Sequence, residues 1–547
     1  MHFDPVLLPP RRSASLASGL WHDITINDAL DGCVAACPDK VALTALRVET
    51  GETKCFTYRE LASTVDRVAI GLSRLGVERG DVVSMQLPNW WQFSVLYLAC
   101  CRLGAALNPL MHIFRERELS FMLGHAQAKV LVVPKQFRQF DHEAMARSLQ
   151  RDLPSLKQIV VVGGQGADSF EALLMDQAWE RGADARTFLQ QDRLAPDDVT
   201  QLIYTSGTTG EPKGVMHSSN TLISNIMPYA ERLHLTREDV ILMASPMAHQ
   251  TGFMYGLMMP ILLRASAVLQ DIWNPVVAAD LIRAERVSFT MASTPFLTDL
   301  TRTVQESAKA VPTLKVFLCA GAPIPGTLVE AARNVLGTKI ISAWGMSENG
   351  AVTTTLPEDD DRLSSSTDGC PLPGVEVKIV GSDGDALAPG ASGRLLVRSC
   401  SNFGGYLKRP EWNATDADGW FDTGDLAMTN EAGYIRISGR SKDVIIRGGE
   451  NIPVFEVESL LYKHPSVAHA AIVAYADERL GERACAVVVP KEGMSLQFDE
   501  MVAFLKAQKI ALQYIPERLI IRPEVPTTPT GKIQKFKLRE LLRNGEL

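Results

Sequence analysis

The chain has 547 residues, more than one hydrophobic core organises well, so two or more domains are expected. Hydrophobic residues make up 46% and charged residues 22%, the balance of a globular protein. A net charge of −8 argues against a general nucleic-acid binder, and nine cysteines with no histidines at metal spacing read as free thiols in a reducing compartment.

Residues 1–25 read as an extended lead-in without the apolar core of a signal peptide. Helical periodicity starts at Ile26. Thr57 and Glu60 form a capping box that opens a helix to about residue 75, with Leu61, Val65, Val68, Ala69 and Leu72 on its apolar face. Residues 81–87 read as a strand. Asn89 is placed to cap a helix through 103, and Trp90 and Trp91 are expected to pack on a core sheet. Short strands fit 129–133 and 158–162. From 199 to 345, strands at 199–204, 240–245, 267–270, 288–292, 316–320 and 339–343 alternate with helices such as 221–233, 276–286 and 328–336. Such alternation builds helix-covered, mostly parallel sheets that bind ligands at strand carboxyl ends. The longest apolar run, 252–263, stops at Arg264, short of the ~20 residues that span a bilayer.

After residue 370, Gly, Pro and Asp punctuate short strands at 375–380 and 394–398, a β-rich unit over about 370–438. A last segment carries helices at 457–463, 498–508 and 537–543 and strands at 470–475 and 485–489. The expected architecture is α/β. A large domain over 1–440 ends in the β-rich unit, and a small α+β domain covers 441–547. No membrane span and no address for another compartment is recognised, so a cytoplasmic location is expected.

Between the strand at 199–204 and the helix at 221–233 lies Thr205-Ser-Gly-Thr-Thr-Gly-Glu-Pro-Lys-Gly214. Seven of these ten residues are Gly, Ser or Thr. Glycines let a backbone approach a polyphosphate, Thr205, Ser206, Thr208 and Thr209 can donate to its oxygens, and Lys213 can neutralise its charge. The spacing excludes the P-loop of nucleotidases, which needs Gly-Lys followed by Ser or Thr; here Lys213 precedes Gly214. Further on, Ala343-Trp-Gly-Met-Ser-Glu-Asn349 follows a buried strand. Trp344 can stack on a base, and Glu348 can bind Mg²⁺ through oxygen. Asp425 can accept ribose hydroxyls, and Arg440 can pair with phosphate or ribose.

The loop over 205–214, with Gly207 and Gly210 among its glycines, resembles the phosphate-binding signature of the AMP-forming acyl-CoA synthetases, members of the adenylate-forming superfamily. The resemblance runs from about residue 26 to the end, with the motifs in the family's order. Trp344 to Glu348 is similar to the family's Tyr-Gly-Met-Thr-Glu, with Trp for Tyr and Ser347 for Thr. By this resemblance ATP is held by Thr205 to Gly210, Lys213, Gly321-Ala322-Pro323 against the adenine, Trp344, Ser347, Asp425 and Arg440. Lys442 falls at the hinge of a mobile small domain, and Gly448 and Gly449 in the loop that meets CoA. Lys532, in Pro526-Thr-Thr-Pro-Thr-Gly-Lys532, is the lysine that bridges the carboxylate and the α-phosphate during adenylation, where developing negative charge makes a cation most useful. The resemblance therefore implies catalysis by Lys532, Glu348 and Lys213, with ATP, Mg²⁺ and coenzyme A.

His249, in Met247-Ala-His249, is similar to a family motif bordering the acyl pocket. Ala248 departs from the usual aromatic, so His249 is either a gate or a structural residue. Met254 and its methionine neighbours either line an acyl tunnel or form a buried helix. Relatives limited to very short acids carry Trp at the position of Gly345, so glycine there implies a deeper pocket. Residues 241–270 hold no Asp or Glu to pair with a substrate ammonium, which favours an uncharged acyl group. The chain resembles ligases of medium-chain and alicyclic acids, with cyclohexanecarboxylate the named expectation. An adenylation enzyme that loads a carrier protein shares every ATP motif and is the alternative. The context of Lys532 also resembles synthetases controlled by a lysine acetyltransferase and deacetylase; acetylation would remove the charge and stop adenylation.

Overall fold

The computed structural model describes residues 3–205, 212–321, 324–440, 445–447, 450–452, 454–477, 481–508, 510, 512–527 and 533–547. Two mostly parallel sheets dominate the chain up to residue 371. In the nine-stranded sheet the parallel strands lie in the order Lys339–Met346, Val316–Ala320, Phe289–Ala292, Val240–Met243, Ser266–Gln270 and Val41–Leu46. Antiparallel strands extend both ends, Gly350–Thr354 beside the first and Thr53–Thr57 beside the last. In the seven-stranded sheet, Val199–Thr205, Ala106–Pro109, Val82–Met85, Val130–Pro134 and Gln158–Val162 run parallel. Strands such as Val82–Met85 and Phe289–Ala292 are buried along their whole length, which is why they read as apolar runs rather than alternating ones.

The Trp91–Arg102 helix is buried from Gln92 to Arg102, and its apolar character on every side fits a core position. Its one cation is paired: the Arg102 guanidinium donates to Asp66 at 3.1 Å and to Asp31 at 2.9 Å, and Arg193 reaches Asp31 at 2.8 Å. Trp91 packs on Phe56 and Phe170, as expected of a core aromatic. Asn89 does not cap this helix. The N-cap is Trp90, which makes no side-chain cap bond. Asn89 instead donates to the Ser245 carbonyl at 2.9 Å and accepts from the Met247 N–H at 2.8 Å, joining the two sheets at their strand ends.

The expected extended lead-in contains a helix, Pro9–Ala17, with prolines at its start. Leu8 and Trp21 bury themselves against Cys400. The Trp21 indole donates to the Cys400 carbonyl at 3.0 Å, and the Arg11 guanidinium donates to the carbonyls of Asn402 and Phe403. Burial pushes the Arg11 guanidinium down to about 10, so it stays charged at neutral pH. Arg12 pairs with Asp197, and the partners of Arg11 lie nearly four hundred residues on, all beyond the reach of a local reading.

The longest apolar run folds as a buried π-helix, Gly252–Met258, continued by Met259–Leu263. No helix among the described residues is long and apolar enough to cross a membrane. Strands Val375–Val380, Gly393–Ser399, Phe421–Thr429 and Ile435–Arg440 form a four-stranded antiparallel sheet where the β-rich unit was expected. The last sheet pairs Val467–Asp477 with Gly481–Pro490, adds Arg518–Ile521 in parallel, and packs with helices Val454–Leu461, Phe498–Ala507 and Lys535–Arg543.

Candidate active site

Strand Val199–Thr205 is followed by a second strand, Lys213–Ser218, antiparallel to it, with Thr205 opposite Lys213 and Tyr204 opposite Gly214. The glycine-rich segment therefore lies in sequence between two antiparallel strands. It does not open the following helix, Ser219–Arg232, as the sequence had suggested. Ser206, Gly207, Thr208, Thr209 and Gly210 lie outside the described residues. Gly214 lies close to its neighbours: a Cβ there would stand 3.0 Å from Leu202 and 3.3 Å from Leu407. Next to this hairpin, Gly405–Tyr406 adds an edge strand, with Tyr406 opposite Val215. The Lys213 ammonium sits 4.6 Å from the centre of the Tyr406 ring and 5.2 Å from that of Trp412, within cation–π range of both.

Glu348 lies in the turn after Lys339–Met346 and is 6% exposed. Three contacts fix this turn. The Tyr406 hydroxyl donates to Glu348 Oε1 at 2.7 Å. The Phe403 N–H donates to the Glu348 carbonyl, and His217 Nε2 donates to the Ser347 carbonyl, each at 2.7 Å. Burial pushes His217 down to about 4, so the ring is neutral at neutral pH, carries its proton on Nε2 and holds Nδ1 3.0 Å from the Thr221 hydroxyl. Burial, and then the Glu348 charge, push the Tyr406 phenol up, which keeps it a donor.

Trp344 is half-buried, and its Nε1–H donates to Asp425 Oδ2 at 3.1 Å. Asp425 stands on Phe421–Thr429 opposite Arg440, the last residue of Ile435–Arg440. Its N–H donates to Thr423 Oγ1 at 3.1 Å. Burial raises the nearby Asp368 carboxyl, and the Asp425 charge adds to that effect. Gly321 closes the Val316–Ala320 strand with φ +88°, a conformation that favours glycine. Ala322, Pro323, Lys442, Gly448, Gly449 and Lys532 lie outside the described residues.

Below the Glu348 turn, the expected acyl-pocket residues fall into two groups. His249 is half-buried and leads into the π-helix, with its Nδ1 accepting from the Thr251 N–H at 3.3 Å. Met254 is buried in that helix, close enough to Gly350 that a Cβ there would meet its methyl at 3.0 Å. Gly345 has a backbone reason for lacking a side chain: a Cβ would lie 2.1 Å from the Gly350 carbonyl oxygen across the hairpin. Sequence reasoning missed Tyr406, Phe403 and His217. It also missed Asn225, which donates to the Ala351 carbonyl at 2.7 Å and accepts from Tyr255 at 2.6 Å. Only the turn-like Gly404-Gly405 beside Tyr406 marks any of these in the sequence.

The geometry sets the Lys213 ammonium and the buried Glu348 carboxylate on either side of Tyr406, with a second buried carboxylate, Asp425, within the strand Phe421–Thr429. The profile of the family described as AMP-binding enzyme matches residues 30–407, and that of the AMP-binding enzyme C-terminal domain matches 456–532. The chain is 37% identical to the medium-chain fatty-acid–CoA ligase of Escherichia coli K12 over 533 residues, covering 97% of this chain and 92% of that one. It is 34% identical to the salicylyl-CoA synthase / salicylate adenylyltransferase of a Streptomyces species, covering 96% and 95%. Among solved structures it resembles ATP-bound MatB from Rhodopseudomonas palustris, with a TM-score of 0.82, 26% identity and coverage of 96% and 100%.

Proposed function

The chain belongs to the AMP-binding enzyme family as an adenylate-forming acyl-CoA ligase, and from that premise we propose that its acid is an uncharged medium-chain or alicyclic carboxylate, cyclohexanecarboxylate among them. The carboxylate oxygen attacks the α-phosphorus of ATP, the bond to the β-phosphate oxygen breaks, and pyrophosphate leaves. The CoA thiol then attacks the acyl carbon and AMP leaves. The observation that carries the nucleotide half is the meeting of Lys213, Tyr406 and Glu348 on one side, and of Trp344 and Asp425 on the other.

In this reading the segment from Thr205 to Lys213 holds the phosphates, Asp425 and Arg440 take the ribose, and Trp344 and Gly321 flank the base. Glu348 fits Mg²⁺ by its chemistry: it is a hard oxygen donor, and such an ion beside phosphates commonly takes one or two protein carboxylates. The ion would supply neutralisation of phosphate charge. Among the described residues no cluster of three or more His, Cys, Asp or Glu offers a cage built from protein alone. Lys532 contributes the cation of the adenylation step, Lys442 the hinge that exchanges it for the loop of Gly448 and Gly449, and acetylation of Lys532 switches the step off. Support for the acid comes from the name of the Escherichia coli relative and from the lack of an acidic residue over 241–270, a stretch that includes the buried π-helix.

CoA-dependent AMP formation across acetate, butyrate, hexanoate, octanoate, cyclohexanecarboxylate, benzoate and salicylate tests this, with Lys532→Ala alongside. A maximum at six to eight carbons or at cyclohexanecarboxylate, lost in the variant, is expected. A maximum at acetate or salicylate overturns the acid assignment. Adenylate formation without transfer to free CoA moves the chain to carrier-protein loading. Mass spectrometry after treatment with an acetyltransferase and acetyl-CoA is expected to find Lys532 modified, and an unmodified lysine removes the switch.

A further inference from the structure

Two charged groups assigned to the phosphates, Lys213 and Glu348, are 135 residues apart in sequence; Lys213 stands on a strand of the seven-stranded sheet and Glu348 in a turn of the nine-stranded one. One side chain touches both. The Tyr406 hydroxyl bonds Glu348 Oε1 at 2.7 Å, while the ring centre lies 4.6 Å from the Lys213 ammonium. Tyr406 is itself held on several sides. Its N–H donates to Asn413 Oδ1 at 2.8 Å, its ring packs edge-on against Phe403 at 4.7 Å, and its backbone is paired with the strand that carries Lys213. It is 5% exposed, so water competes little for the hydroxyl.

We propose that Tyr406 is a positioning residue for adenylation: its hydroxyl fixes the Glu348 carboxylate, its ring fixes Lys213, and together they set the spacing of an anion and a cation across the phosphate site. The proposal rests on the nucleotide reading above. A carboxylate with one oxygen bonded to a rigid donor loses rotational freedom and turns in a defined direction. The turn around Glu348 is already tied by Phe403 and His217 through its backbone carbonyls, and Tyr406 acts on the carboxylate itself. Because the edge strand Gly405–Tyr406 pairs with the strand of Lys213, a shift in the hairpin moves the tyrosine with it. The spacing between the two charges is thereby kept.

The test uses the full chain, with acid-dependent ATP–pyrophosphate exchange as one readout and Mn²⁺ binding in the presence of ATP, by electron paramagnetic resonance, as the other. Tyr406→Phe keeps the ring and loses the hydroxyl. It is expected to lower kcat about 10- to 100-fold, to leave KM for ATP within about twofold, to weaken Mn²⁺ binding, and to lower the melting temperature less than Tyr406→Leu does, since one buried acceptor loses a donor while the packing of the ring is kept. In a Glu348→Gln background the same change is expected to cost less than about threefold, because the hydroxyl then has no carboxylate to hold. Tyr406→Leu removes the ring as well and is expected to raise KM for ATP. Equal losses of kcat in both backgrounds, or no loss in either, overturn the proposal. So does a fall in melting temperature as large for Tyr406→Phe as for Tyr406→Leu. If no acid supports exchange in the unaltered enzyme, the functional reading fails, and the Mn²⁺ measurement still decides the role of Tyr406.

Discussion

Trp344 and Asp425 are joined side chain to side chain, the indole Nε1–H donating to the carboxylate at 3.1 Å across 81 residues of sequence. The bond ties the end of the nine-stranded sheet to the four-stranded sheet, and it orients the carboxylate assigned to the ribose before any nucleotide arrives. A bond from a neutral donor to a charged acceptor contributes about 1.5–3 kcal/mol. Trp344→Phe keeps an aromatic face and loses the donor. Its KM for ATP is expected to rise roughly 10- to 100-fold with little change in kcat, as measured by pyrophosphate exchange.

His217 couples stability to pH. Its folded value of about 4 lies below the ordinary 6.5, so the unfolded chain binds the extra proton between those limits. Stability is therefore level above about pH 6.5 and falls as pH drops toward 4, by about 3 kcal/mol over the whole window. His142, buried and likewise held at about 4, adds a loss of the same sign. His217→Asn is expected to melt lower than the unaltered enzyme at pH 7. It is also expected to lose less melting temperature between pH 7 and pH 5, since it has no imidazole to protonate. Parallel melting curves would refute the assignment.

Gly345 discriminates between two readings of one residue. If glycine is present only to deepen an acyl pocket, Gly345→Ala should spare short acids and penalise long ones. The 2.1 Å approach of a Cβ to the Gly350 carbonyl oxygen predicts a different result: about 1–3 kcal/mol of lost stability and a similar loss of activity for every acid. Melting curves and an acid-length series on the one variant separate the two.

The Arg11 guanidinium is buried against two backbone carbonyls. Arg11→Met leaves those carbonyls without their donor, which is expected to cost about 1–3 kcal/mol and to lower adenylation through the Phe403 N–H that holds Glu348. The melting temperature and kcat of the variant check both effects. One guanidinium nitrogen donates to both carbonyls, so Arg11→Lys, whose ammonium can also donate to two acceptors, is expected to recover much of both.

The sequence was most readable where chemistry or periodicity is local. The Thr57–Glu60 capping box forms as expected, and the strands from 240 to 346 run parallel with helices between them, whereas Val199–Thr205 is followed by an antiparallel strand. Glu348 lies in the turn that follows a buried strand, as its motif reads, whereas Asp425 lies within the strand Phe421–Thr429. What escaped was set by partners distant in sequence. Tyr406 finds Glu348 across 58 residues, and His217 finds the Ser347 carbonyl across 130. Asn89 has a good capping side chain, yet the buried carbonyl of Ser245 takes it instead. Pro9–Ala17 offers little apolar surface of its own, so its helix is legible only once residues 400–403 are beside it.

That last pairing has a consequence for synthesis. Arg11 and Asn402 are separated by 391 residues. At ordinary rates of translation the first helix leaves the ribosome roughly 20–80 s before its binding surface exists. During that interval Leu8 and Trp21 have no native place to go. The segment is thus an early product with a late appointment, and the growing chain depends on keeping it from mispairing until the strand that leads to Tyr406 emerges.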